Sequence, residues 1–200
     1  MHISEGVLSP AVLGAGATLT SLGVAAGMLR LDYDRLMTVA LLSAAFFVGS
    51  LVHIPVGVGS VHLVLNGLLG ILLGWAAFPA ILTALALQAF LFQYGGLTVL
   101  GVNTFSMAFS GVLAGYAYKT VARCLPGPQG QKAAAFCGGA LGVALAGFFT
   151  AMALALSDEN FLVAAKLLFF AHLPVMALDG LITMFTVTLI VLVRPEMLHL

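Results

Sequence analysis

Apolar runs long enough to cross a bilayer recur along this chain, separated by short clusters of charge, glycine and proline, and that pattern constrains its fold more than any single motif. A spanning helix takes about 20 predominantly apolar residues, fewer where it is buried among other helices. By that rule seven segments are read: Leu8 to Leu29, Leu36 to Val52, Val61 to Ala77, Pro79 to Tyr94, Thr104 to Arg123, Ala133 to Leu156 and Pro174 to Val193. The third and fourth meet at Ala77-Phe78-Pro79, where Pro79 suits the first position of a new helix. Phe161 to Ala171 is too short to span, is set off by Asp158-Glu159-Asn160 and Pro174, and reads as an interfacial helix.

Composition agrees. Only 7% of residues are charged and 62% are hydrophobic, where a soluble domain carries about a quarter charged residues. The expected fold is therefore all-α, a polytopic membrane protein of one domain over residues 1–200, with residues 1–7 as an N-terminal loop and 8–200 as the helical bundle. Seven basic and seven acidic residues cancel, which leaves no charged face for nucleic acid. Cys124 and Cys137 match no metal-binding or redox spacing and read as free thiols, with a disulfide left open.

The positive-inside rule orients the segments. Arg30, Arg35, Lys119, Arg123, Lys132 and Arg194 all fall on one side of a seven-span arrangement, with Lys166 the exception. That side is read as the cytoplasm, which places the N-terminus outside and the C-terminus inside. His2, His53, His62, Asn103 and His172 then share the outer ends of segments, while His199 lies inside. Polar groups at membrane depth are costly and point to a pathway or a site.

The N-terminal Met1-His2-Ile3-Ser4-Glu5-Gly6 sets an amine, a peptide nitrogen and an imidazole side by side. The Met1 α-amine, the His2 amide nitrogen once deprotonated and the His2 ring can chelate one transition metal. An all-nitrogen plane favours Ni(II) or Cu(II) and admits Co(II). The plain alternative is an ordinary terminal histidine. No basic n-region or cleavage site marks a signal peptide, and Glu5 argues against one. Met1 is expected to stay, since His2 is too large for ordinary removal of the initiator residue.

His62, in Gly57-Val58-Gly59-Ser60-Val61-His62, follows a stretch that can turn tightly, and is the first choice for a fourth nitrogen at the head of segment three. The alternative is a helix-end histidine capping its neighbours. His53 and His172 each precede an X-Pro pair and read as orienting or structural residues. A ligating histidine donates its other ring N–H to an acceptor, which Glu5, Asn103 or Asp179 can supply. Asn103 can cap segment five or brace the N-terminal strand, and Asp179 requires a partner inside segment seven. Gly70 and Gly74 form a small-xxx-small face, either internal or for docking another membrane subunit. The chain has no phosphate-binding G-x-x-x-x-G-K-[ST] loop, no H-E-x-x-H and no G-x-S-x-G.

These motifs, with Ser60-Val61-His62-Leu63, Gly101-Val102-Asn103-Thr104-Phe105-Ser106-Met107 and His172-Leu173-Pro174 to Asp179-Gly180, resemble the CbiM/NikM family over essentially the whole chain. Its members are substrate-binding components of energy-coupling-factor (ECF) transporters for cobalt and nickel. The resemblance implies metal held by the Met1 amine, the His2 amide and imidazole, and His62, with the N-terminal loop inserted into a seven-helix bundle in the prokaryotic cytoplasmic membrane. It implies Co2+ or Ni2+ as cargo rather than cofactor, a transmembrane coupling subunit, two cytoplasmic ATPase subunits and often a small accessory membrane subunit as partners, and a link to cobalamin biosynthesis where the cargo is cobalt. One departure is Asp179, where Glu is expected more often in the family. The chain itself is then no enzyme. The rivals are a stand-alone secondary permease, which would need charged residues along a mid-membrane route, and an intramembrane metalloenzyme, which would need an open metal position.

Overall fold

A computed structural model describes residues 2–51, 53–56 and 59–198, with the backbone alone described at 53–56 and 59–61. Eight α-helices appear among them: α1 Pro10–Leu29, α2 Leu36–Gly49, α3 Asn66–Leu73, α4 Ala77–Phe92, α5 Leu100–Cys124, α6 Pro128–Ser157, α7 Leu162–Ala171 and α8 Leu173–Val193. Four stretches among the described residues are long and apolar enough to cross a membrane: Pro10–Leu29, Asn66–Phe92, Pro128–Ser157 and Glu159–Val193. The helical, membrane-embedded character expected from the apolar runs therefore holds.

The all-α expectation needs one correction. An antiparallel hairpin, β1 His53–Val56 and β2 Gly59–His62, separates α2 from α3, with His53 paired to His62 and Val56 to Gly59. Pro55 disfavours helix in the residue before it, glycines at 57 and 59 weaken a helix further, and Ile54, Val56, Val58 and Val61 prefer extended backbone. The third segment read from Val61 is accordingly shortened, because its helix begins only at Asn66.

The short α3 is the centre of the bundle, and all eight of its residues are buried. It packs against α5 and α6, which pack on each other, and α6 packs in turn on α8. A helix enclosed on every side must be apolar all round, and Gly67-Leu68-Leu69-Gly70-Ile71-Leu72-Leu73 is. Gly70 lies so close to the backbone of Gly111 in α5 that a methyl group there would collide with the Gly111 carbonyl. This assigns Gly70 to an internal contact. Gly74 instead ends α3 with φ +55 and has open space around it.

Asn66 ties this core together. Its amide is fully buried; Nδ2 donates to the carbonyls of Met107 in α5 and Gly142 in α6 at 3.1 and 2.9 Å, while Oδ1 accepts from the Gly67 N–H. A buried amide is tolerated when its donors and acceptor are paired in this way.

Candidate metal centre

The N-terminal strand reaches the hairpin through buried polar contacts. Ile3 donates its N–H to Asn103 Oδ1 at 3.0 Å and accepts from Asn103 Nδ2 at 3.2 Å, so one amide grips both main-chain groups of one residue. Asn103 sits in the first turn of α5 and is buried. Of the two roles expected for it, bracing the N-terminal strand is the one the contacts display.

That brace brings His2 to His62. Both are buried, and their ring centroids lie 4.7 Å apart at an interplanar angle of 32°. His62 ends β2 rather than opening a helix, which corrects its expected position. Its Nδ1 lies 2.7 Å from the Leu63 carbonyl. A carbonyl only accepts, so Nδ1 carries the proton and Nε2 the lone pair. Burial holds the His62 imidazole well below its ordinary range, which keeps it neutral as metal ligation requires.

Glu5 works from the other side. Its Oε1 accepts from the Thr98 N–H at 3.0 Å and from the Thr98 hydroxyl at 3.3 Å. Those bonds, the backbone N–H first, hold its carboxyl below the usual range and ionised. The connection from α4 to α5 is shaped to receive the strand: Gly95 and Gly96 have φ +77 and +132. A side chain at Gly95 would press on the Asn103 amide and touch the His2 ring, and one at Gly96 would displace Glu5. Gly95, Gly96 and Thr98 were not singled out from the sequence. The Gly-Gly dipeptide between two apolar segments was the available signal, since it marks a connection with unusual backbone.

Asp179 in α8 serves α3. Its Oδ2 accepts from the N–H groups of Val64 and Leu65 at 3.0 and 3.2 Å, supplying acceptors at the start of a helix where the backbone otherwise has none. Leu65 there has φ +53, and the carboxylate stabilises that turn. His172, between α7 and α8, is fully buried and donates Nδ1–H to the Leu168 carbonyl at 2.7 Å. The acceptors of the ring N–H groups of His62 and His172 are thus backbone carbonyls. Glu5, Asn103 and Asp179, expected for that role, each bind backbone N–H groups instead.

Among the described residues no cluster of three or more His, Cys, Asp or Glu side chains can hold a metal. Among the described residues the imidazoles of His2 and His62 are the ones seen in ring contact. Met1 and His199 lie outside the described residues, as does the side chain of His53. Cys124 and Cys137 are exposed free thiols, Cys124 ending α5 and Cys137 within α6.

Residues 2–197 match the CbiM family, described as the cobalt uptake substrate-specific transmembrane region. The chain is 42% identical over 200 residues to the "Putative metal transport protein" of Haemophilus influenzae, covering all of this chain and 97% of that protein. It is 30% identical over 206 residues to the "Putative fused nickel transport protein NikMN" of Archaeoglobus fulgidus, covering all of this chain and 68% of that protein. A crystal structure of a transition metal transporter superposes with a TM-score of 0.83 at 27% identity, over 98% of this chain and 95% of that one.

Proposed function

The chain belongs to the CbiM family of cobalt-uptake substrate-specific transmembrane proteins, and from that premise we propose that it captures Co2+ or Ni2+ at the outer face through the Met1 α-amine, the His2 amide and imidazole, and His62. Family membership makes it a multi-pass transport component of the cytoplasmic membrane. The observation that carries the ligand set is the pairing of two buried imidazoles, His2 and His62, 4.7 Å apart at the end of a braced N-terminal strand.

The ion sheds its water and is enclosed by amine, amide and two imidazoles, with His62 contributing Nε2. Deprotonating the amide releases a proton, so binding tightens as pH rises. A plane of four nitrogens suits Ni(II) and admits Co(II). Glu5, Asn103, Asp179, His53 and His172 support the site and do not ligate. Seven segments with the N-terminus outside and the C-terminus in the cytoplasm put this pocket beneath the outer surface.

The chain has no ATP-binding loop, so the energy comes from a partner or an ion gradient, and the family resemblance favours an ECF assembly: a transmembrane coupling subunit, two cytoplasmic ATPase subunits and a small accessory membrane subunit. The fused relative, whose length exceeds the matched region, supports the accessory subunit. Reorientation of this chain within the assembly releases the ion inside.

Placing one residue ahead of Met1 removes the amine from chelating position. Such a variant is expected to lose stoichiometric Ni2+ and Co2+ binding in a titration of purified protein; retained binding would refute the ligand set. Uptake by vesicles holding this chain alone, without ATPase subunits, would favour the stand-alone permease instead.

A further inference from the structure

Among the described residues, the end of the bundle remote from His2 carries three cavities, each with at least one basic side chain in its lining. The first, about 260 Å3, gathers Arg30 at the end of α1, Arg35 in the turn before α2 and Arg194 at the end of α8. The second, about 200 Å3, shares Arg30 and adds Lys119 with Tyr116. The third, about 260 Å3, lies between the start of α6 and the end of α8 and holds Lys132. Five basic side chains thus face three pits, against two carboxylates, Asp32 and Glu196.

Those carboxylates do not close the first cavity. Each lies 3.7 Å from an arginine of its own turn, Asp32 with Arg35 and Glu196 with Arg194, and both pairs are well exposed. Exposed pairs of this kind are weak and exchange partners readily. Arg30 makes no ion pair among the described residues. Its guanidinium lies 5.0 Å above the ring of Trp75, which stacks on Phe78 and donates its indole N–H to the Tyr116 hydroxyl. A guanidinium held by its face keeps its edge of N–H donors available, in the planar fork that matches phosphate oxygens.

Large apolar side chains next in sequence to the lining residues are exposed, Leu29, Tyr33 and Met37, as is Leu192, which lines the third pit. In a protein of the cytoplasmic membrane those side chains meet acyl chains. We infer that these cavities are a binding site for the phosphodiester headgroup of an anionic phospholipid, with Arg30 and Arg194 as the principal phosphate donors. Basic pits between transmembrane helices capture such headgroups. Discrete basic pits with exposed apolar side chains nearby in sequence suit single headgroups with their tails; an acidic protein segment would call for one continuous basic groove.

Trp75 is the chain's only tryptophan, so its emission reports on Arg30 directly. The purified full chain is compared in nanodiscs of phosphatidylcholine alone and of phosphatidylcholine with phosphatidylglycerol, with native mass spectrometry of retained lipid. Phosphatidylglycerol is expected to be retained about tenfold over phosphatidylcholine and to change Trp75 emission. Arg30→Gln and Arg194→Gln are expected to lose the selectivity, while Lys166→Gln, outside the cavities, keeps it. Should Arg30→Gln disturb the end of α1, Arg194→Gln decides alone, because its side chain is 72% exposed. Equal retention of the two lipids, or selectivity unchanged in Arg194→Gln, overturns the proposal. So does a Trp75 response to inorganic phosphate in detergent without selective lipid retention, which assigns the cavities to free phosphate. A co-purifying protein at this end in place of lipid overturns it equally.

Discussion

Asn103→Ala tests the link between the N-terminal strand and metal capture. The substitution deletes two hydrogen bonds, 3.0 and 3.2 Å long, to a residue that is 1% exposed. One N–H and one C=O of Ile3 are left buried and unpaired, at about 1–3 kcal/mol each. Interhelical bonds within membranes fall toward the low end, so the strand's docking weakens by about 2–3 kcal/mol. The metal must then supply that ordering free energy itself, which lowers its affinity roughly 30- to 150-fold. Chelator-competition titration of Ni2+ and Co2+ measures the change, and the melting temperature of metal-free protein checks that the bundle persists. Asn103→Asp separates the two bonds: it still accepts from the Ile3 N–H but sets a second oxygen against the Ile3 carbonyl, so its affinity is expected to fall as well. Affinity of Asn103→Ala within about twofold of the unaltered protein, inside the ~0.5 kcal/mol scatter of independent sites, would refute the reasoning.

Three further outcomes are expected. Asp179→Ala strips the acceptor from the Val64 and Leu65 N–H groups, costing about 2–4 kcal/mol; a thermal scan should show a clear drop, a smaller one for Asp179→Asn, and an unchanged midpoint would exclude the capping role. Gly96→Ala displaces the Glu5 side chain and should speed release of bound metal in stopped-flow chelation, with Thr98→Val a milder version; identical release rates would detach Glu5 from closure of the site. The buried His62 stays neutral because its folded pKa lies well below the ordinary 6.5. Above pH 6.5 it places no pH dependence on stability; as pH falls below that value the unfolded chain gains a proton the folded one does not, and stability declines until the folded pKa is passed. Melting of metal-free protein between pH 7.5 and pH 5, roughly the window this linkage defines, should show that decline, and His62→Gln should flatten it; parallel curves would argue against burial as the cause.

Much of the candidate site was legible in local sequence. Gly57 to Ser60 announce a turn before His62, and Asn103 stands where a segment begins, each a cue a few residues long. What was misplaced was also local in kind: the apolar run from Val61 looked like one helix, yet Pro55 and the β-branched residues paired into a hairpin that postponed α3 to Asn66. Hydropathy does not separate an enclosed strand from a helix turn, because both are apolar. The partners of Glu5 and Asp179 were illegible for another reason. Thr98 lies 93 residues from Glu5 and Val64 lies 115 from Asp179, and nothing in either neighbourhood encodes such a meeting.

The sequence by itself determined the medium in which this protein folds, since near absence of charge over long apolar runs leaves the bilayer as solvent. Only the tertiary structure decided that His2 meets His62 and that the proton of His62 rests on Nδ1. It alone decided that Gly70 of α3 packs against Gly111 of α5 inside the bundle. The reason is that hydrophobicity acts without direction, whereas hydrogen bonds and ring contacts depend on distance and angle, and those exist only once the helices have packed.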